Sequence, residues 1–476
     1  MGGILTTILC GVFIATQILY ALTFFIDIYL FRLPIDRVDM TEEAQLELDD
    51  CLPIVLLYPV LRELEETMRT TFISLRRLRY PPRRFRVVAI PNADDGATVA
   101  SLRRLQQEFD FLEVMEVPST RDPSWATVWE AWDTNPKAYW WHHGARAKTR
   151  DLPPKKTRQL IYAFYTLAAQ NPGGGDFLIN YIDADSCPPP DHLIAAAIGI
   201  KRFDVLQAGN IAGNLNDSLA ASWHAFDHMA WDGRKYPHLT AHGRQPFWVL
   251  GKGLFFRASD LVALGGFHPW ITIEDPEVGL RFWANGKRLG YIDDPLIEEV
   301  PVTFGRGITQ RKRWVAGFFQ SLDGPLKALG YKRRDRFKAW LIFLPCLSYW
   351  INPIGLPVGA WALWRLIEGT GPLPAWTYVL AVLNAAAWLV SLALLYASVW
   401  RRSALVLQRR RDRLLYLLRC NPIALLIWGL IWVVPLWIGW RMYRRDGGLV
   451  WERTEKIDAN ANLVRTMELP SETVRA

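Results

Sequence analysis

The chain has 476 residues, is 51% apolar with 23 tryptophans, and carries a formal net charge of +8. Such a composition excludes a disordered chain and leaves room for more than one domain. Its positive charge gathers beside apolar segments, at 331–338, 401–413 and 441–445, which argues against nucleic acid and for a membrane surface or anionic small substrates as partners.

The first element is the apolar run Ile4–Ile26, free of charge and long enough to cross a bilayer. It lacks a basic start and a small-x-small cleavage site, so residues 1–31 read as a retained anchor rather than a signal peptide. From 32 to 338 the composition is that of a soluble domain. Strand candidates at 53–58, 86–90, 177–182 and 205–208 alternate with helical patterns at 61–78, 156–170 and 276–285, which predicts an α/β sheet with mostly parallel strands. Ligands of such sheets bind at the carboxyl ends of strands, so polar groups just after strands matter most.

Beyond 338 the chain turns apolar again. Segment 339–367 contains Pro345, Asn352, Pro353 and Pro357 and reads as one kinked span or two shorter pieces; 376–400 and 418–440 each read as one span. Arg401, Arg402 and Arg409–Arg411 place the loop between the last two in the cytosol, and with it the 32–338 domain. The expected setting is a multi-pass protein of the plasma (inner) membrane. Single passes would then leave Arg441, Arg444 and Arg445 outside, against the same rule. The polar tail 446–476 reads as unstructured from 459 onward. The five cysteines are scattered, with no zinc or disulfide spacing.

Several polar groups fall where a sheet of this kind would use them. Asp183-Ala184-Asp185, the chain's only D-x-D, follows an apolar strand; two carboxylates so placed suit a hard divalent cation bridging phosphates, or a solvated acid pair. Asn92-Ala93-Asp94-Asp95-Gly96 also follows a strand, and its acids suit either a nucleobase or an ordinary Asp-Gly turn. Lys155 and Lys156 precede a helical run, facing a diphosphate or solvent. Asp275, after Thr272-Ile273-Glu274, precedes Pro276 and suits an N-cap or a general base. In Thr309-Gln310-Arg311-Lys312-Arg313-Trp314, helical spacing puts Gln310, Arg313 and Trp314 on one face, where a guanidinium grips phosphate and an indole stacks on a sugar. Arg311 and Lys312 then point to lipid headgroups or solvent. The i, i+4 pairs His224/His228 and His238/His242 lack a third ligand and read as acceptor contacts or surface rather than zinc sites.

The order of these motifs resembles that of membrane-bound family 2 glycosyltransferases, the group of cellulose, chitin and hyaluronan synthases. The matching residues are Asp94-Asp95-Gly96, Lys156-x-x-Gln159-Leu160, Asp183-x-Asp185, Thr272-Ile-Glu-Asp275 and Gln310-x-x-Arg313-Trp314, with Gly253–Arg257 and Gly265-Gly-Phe267 as weaker matches. The resemblance spans roughly 53–317. It implies a GT-A (Rossmann-like) catalytic domain at 32–338, with an interfacial helix near 306–322, between an N-terminal anchor and a transmembrane region at 339–445. It also implies a nucleotide-sugar donor, Mg²⁺ or Mn²⁺, and inversion at the anomeric carbon. By position Asp94 and Asp95 meet the nucleobase. Asp183 and Asp185 meet donor sugar and metal, and Lys156 the diphosphate. Gln310 and Arg313 hold pyrophosphate, and Trp314 lines the acceptor site. Asp275 is the base, and the extra residue in T-I-E-D lets Glu274 share that role. Trp451-x-x-Thr454-x-Lys456 resembles a W-x-x-T-x-K element found after the last span of bacterial relatives, which favours a cytosolic tail. A glycan acceptor is expected, with a ceramide-type lipid as the alternative; membrane lipids are the other partners.

Overall fold

The computed structural model describes residues 2–135, 137–138, 150–170, 176–328, 331–446 and 456–468. The tryptophan-rich segment 139–141 and the Trp451–Thr454 stretch lie outside these.

Helix α1 (Gly2–Phe31) precedes the sheet-bearing domain. Among the described residues the domain is built on seven strands, β1 (Ile54–Val60), β2 (Phe85–Pro91), β3 (Leu112–Val114), β4 (Leu178–Tyr181), β5 (Val205–Ala212), β6 (Leu254–Arg257) and β7 (Leu289–Glu298), in the order β3-β2-β1-β4-β6-β5-β7. β1 and β5 are buried along their whole length, the pattern of strands covered on both faces. One face is covered by α2 (Glu65–Leu75), α3 (Gly96–Glu108) and α6 (His192–Gly199), through Met68, Phe72, Leu102 and Ile194. The other is covered by α4 (Ala126–Thr134), α5 (Lys156–Ala169), α8 (Ala258–Ala263) and α9 (Asp275–Ala284), through Trp132, Leu160, Leu261 and Val278. The α7 helix (Leu219–Ala230) packs against the C-terminal helices, through Trp223 and Phe226 with Val399, Tyr416 and Trp428.

The sheet is mixed. β1, β2, β3 and β4 run parallel, but β6 is antiparallel to both β4 and β5. This reversal positions the site. Because Tyr181 pairs with Leu254, the segment entering β6 lies at the same edge as the segment leaving β4. β7, parallel to β5, ends at that edge too, with Glu298 opposite Ala212.

α10 (Phe304–Ala328) follows, longer at both ends than the interfacial helix expected at 306–322. The segment with Pro345, Pro353 and Pro357 is one continuous helix, α11 (Arg333–Ile367). Helix α12 (Ala375–Arg402) packs with α11 against α1. Phe13 joins Val358, Ala362 and Leu373; Tyr20 donates to Asn352 Oδ1 at 2.9 Å; Asn384 donates to Gln17 Oε1 at 2.9 Å. Polar pairs buried between helices hold such bundles where apolar contact alone gives no advantage over lipid.

Among the described residues three helices are long and apolar enough to cross a membrane: Gly3–Phe31, Ala375–Leu405 and Pro422–Arg445. The last is not the single straight span expected at 418–440. After α13 (Arg410–Arg419) the chain forms α14 (Pro422–Ile431), breaks at Trp432, and resumes as α15 (Val433–Asp446). Pro435 explains the break, since it has no N–H for the Ile431 carbonyl and its ring crowds that position. α15 then runs alongside α10. Leu436 packs with Val315, Phe319 and Leu322, Gly439 abuts the Lys312 carbonyl, and the Tyr443 hydroxyl donates to Asp323 Oδ2 at 2.6 Å. α10 itself carries Arg306, Arg311, Lys312, Arg313 and Asp323, a charge load that suits a membrane surface rather than a bilayer core.

The tail also differs from expectation. Residues Ala461–Glu468 form α16, with Val464 buried, and the Ile457 and Ala459 amides donate to Glu299. The tail therefore packs on the sheet-bearing domain.

Candidate active site

The edge where β4 and β7 end and β6 begins encloses a cavity of about 310 Å³. Asp183 and Asp185 follow β4 directly. A two-way backbone bridge from Cys187 to Ile297, at 2.8 and 2.9 Å, clamps their loop to the end of β7. Asp185 is buried, and its Oδ2 accepts from the Glu299 amide at 3.0 Å and from the Lys456 ammonium. Lys156, the first residue of α5, donates to Asp183 Oδ1 at 2.7 Å, and its Nζ lies 3.4 Å from Glu274 Oε1.

Asp275 opens α9 but caps nothing with its side chain. Its Oδ2 instead accepts from the Gly251 amide at 2.9 Å. Two features of α9 make this reach possible. Gly279 lets the helix press onto the strand-like segment at 248–249, where a Cβ would lie 2.4 Å from the Val249 nitrogen. The buried Glu277–Arg281 pair, at 2.9 Å, fixes the helix from behind, and Arg281 also donates to the Leu264 carbonyl at 2.6 Å.

Electrostatics follow from this crowding. Burial, then repulsion from Glu274, pushes the Asp275 carboxyl up to about 7, although Lys156 pulls the other way. Burial alone would lower Lys156, but Asp183, Glu274 and Asp275 outweigh it and hold its pKa above the ordinary value. Burial would likewise raise Asp183, and Lys156 outweighs it, holding Asp183 low.

Gln310, Arg313 and Trp314 all line the cavity, as helical spacing requires. Arg311 is a correction. It is neither at lipid nor in solvent but 1% exposed, its guanidinium donating to Asp227 Oδ2 at 2.9 Å and lying 4.9 Å from Trp428 and 5.2 Å from Trp432. Lys312 is half-buried. Asp94 and Asp95 do not line the cavity. Asp95 caps α3 through Thr98 and accepts from the Arg62 amide at 2.7 Å, while Asp94 is exposed, 3.7 Å from Arg158. His224 and His228 are buried rather than on the surface, and His228 lines the cavity with its ring 5.5 Å from that of Trp314.

The sequence reading missed Lys252 and Glu298, which form a buried ion pair in the cavity wall. Burial pushes Glu298 up to about 8 despite Lys252. The signal was Gly251-Lys252-Gly253, a cation held between two glycines just ahead of a strand. Among the described residues no group of three or more His, Cys, Asp or Glu could hold a metal. Asp183 and Asp185 nevertheless offer hard oxygen ligands, each already paired with a lysine, Lys156 and Lys456. Two carboxylates suit a Mg²⁺-type ion that takes its other ligands from phosphates and water.

A profile of glycosyl transferase family group 2 matches residues 178–439, more than half of the chain. The chain belongs to this family. Among solved structures, the mannosyltransferase PcManGT from Pyrobaculum calidifontis, in complex with GDP-Man and Mn²⁺, superposes with a TM-score of 0.50 at 16% identity, covering 92% of this chain and 99% of that one. The fold of this family 2 chain is thus GT-A-like. Residues 1–349 of TarS from S. aureus superpose more loosely, with a TM-score of 0.36 at 12% identity over 86% of this chain and 95% of that one. Comparison with curated protein sequences returns no match.

Proposed function

We propose that the chain is an inverting membrane glycosyltransferase that moves a sugar from a nucleotide-diphosphate donor to a hydroxyl acceptor, with its catalytic domain in the cytosol. The observation that carries this reading is the convergence of Lys156, Asp183, Asp185, Glu274 and Asp275 with Gln310, Arg313 and Trp314 on one cavity. Asp275 takes the acceptor proton as its oxygen attacks the anomeric carbon, with Glu274 beside it to raise its basicity. Lys156, Gln310 and Arg313 neutralise the leaving diphosphate, and Trp314 offers a face to the acceptor sugar. Asp183 and Asp185 would hold Mg²⁺ or Mn²⁺, which supplies charge neutralisation at the diphosphate. Asp94, exposed after β2, meets the nucleobase, whereas Asp95 serves mainly its turn.

Motif order supports a glycan acceptor of the polysaccharide-synthase kind. A separate observation favours a lipid acceptor. α1, α11 and α12 pack directly on one another, and the far end of the cavity is walled by Tyr349, Trp432 and Leu436, side chains of the apolar C-terminal helices. In this reading α1, α11 and α12 cross the membrane while α10 and α15 lie at its surface.

The test is incubation of the purified full-length protein, in lipid nanodiscs, with a panel of nucleotide sugars, Mg²⁺ or Mn²⁺, and either an oligosaccharide or a glycolipid acceptor. Transfer with at least one donor is expected, and chelating the metal is expected to abolish it. A polymer ladder identifies the glycan acceptor and a single larger lipid the other; no transfer from any donor sinks the proposal.

A further inference from the structure

The ends of α1 and α11 meet at one level. α1 leaves its apolar run near Asp27, which pairs with Lys235, and α11 enters its own at Ala339. Between them lies a second cavity, of about 470 Å³, lined by Tyr29, Leu33, His242, Arg244, Gln245 and Lys338. Two of its polar groups are already engaged. His242 binds Asp36 at 3.0 Å, and Gln245 donates to the Tyr29 hydroxyl at 2.7 Å. Arg244 and Lys338 are exposed, and neither has an acid within ion-pair distance among the described residues. Asp36 does not neutralise them, since its oxygens face the His242 ring and amide, with Arg288 at 3.9 Å.

An independent observation concerns the start of α11. Its first two turns carry Arg333, Arg334, Arg336 and Lys338, cations at the end of a helix where the backbone dipole is itself positive. Asp335 and Asp323 answer Arg334 and Arg336, each at 3.5 Å, and leave Arg333 and Lys338 unanswered. The neighbouring Phe337 is 64% exposed, an apolar ring set among these cations.

We propose that Arg244 and Lys338 hold the phosphate of an anionic phospholipid, its headgroup in this cavity and its acyl chains along the apolar surfaces of α1 and α11. The geometry is that of a pincer, one cation from the catalytic domain and one from the helix that leaves it, so a bound lipid ties the two together.

The test uses the full-length protein in a zwitterionic detergent, titrated with phosphatidylglycerol, with phosphatidylcholine and with inorganic phosphate, and bound lipid counted by native mass spectrometry. One phosphatidylglycerol per chain is expected to be retained in preference to phosphatidylcholine. In the double variant Arg244→Gln/Lys338→Gln retention is expected to fall by roughly tenfold or more. The double variant Arg410→Gln/Arg411→Gln removes two exposed arginines of α13 and should retain lipid like the parent. Equal loss in both variants, undiminished retention in the first, or displacement of the lipid by inorganic phosphate at equal concentration would each overturn the proposal. Both altered side chains are exposed, so melting temperatures close to the parent's are expected and are measured alongside.

Discussion

Replacing Asp275 by asparagine is expected to lower sugar transfer by about 10²- to 10⁴-fold, the span of general-base catalysis, while donor affinity stays within a few fold. Asparagine keeps the shape and an acceptor oxygen for the Gly251 amide, so α9 should stay in place. What it removes is the proton acceptor. The same carboxyl sets a pH dependence. Its pKa is raised to about 7, so the free enzyme holds the base protonated below that pH, and kcat/KM should rise with pH through about 7 and flatten above it. The raised value also means that Asp275 favours the folded state most at low pH and loses that contribution as pH climbs through 7. In the asparagine variant the kinetic rise should vanish from the residual activity. Glu274→Gln separates the two acids. Glu274 faces Lys156 at 3.4 Å and is 2% exposed, so a smaller loss is expected, with the pH rise retained at a shifted midpoint.

The second large effect is on stability. Arg311→Ala is expected to destabilise the protein by about 3–5 kcal/mol, because it strands the buried Asp227 carboxylate. Asp227 also accepts from the Trp432 indole at 3.1 Å, so the pair joins α7, α10 and the break between α14 and α15. Denaturant unfolding in detergent measures the loss. Combining Arg311→Ala with Asp227→Ala should cost less than the sum of the two single changes, since no lone charge then remains. Arg313→Ala, two residues on, should leave stability near the parent's and impair donor use instead. The contrast tests whether neighbouring arginines of one run divide between structure and substrate.

That division shows what was legible beforehand. The cavity-facing residues of α10 follow from helical spacing alone, and the strand-end acids follow from apolar runs and what comes after them. Arg311 was not legible, because its partner lies 84 positions away and a cation beside apolar sequence reads as a headgroup contact. The direction of β6 was hidden for a similar reason: three apolar residues and an arginine make a strand but do not say which way it runs, and that direction brings Gly251 and Lys252 to the site. Hydropathy over 418–440 registers composition and passes over Pro435, which breaks the helix. The tail helix α16 is short and takes its order from Val464 packing on the domain and from Glu299, contacts that no local pattern encodes. Asp95 went the other way: the Asp-Gly turn chemistry, visible in the sequence, accounts for most of what its side chain does.

The central claim is that this cavity performs sugar transfer with inversion, and the anomeric configuration of the product tests it most directly. Proton NMR of the glycoside formed from an α-linked nucleotide sugar should show a β linkage, formed by the parent protein and not by Asp275→Asn. An α linkage, or a β product made equally well by the variant, would contradict the account.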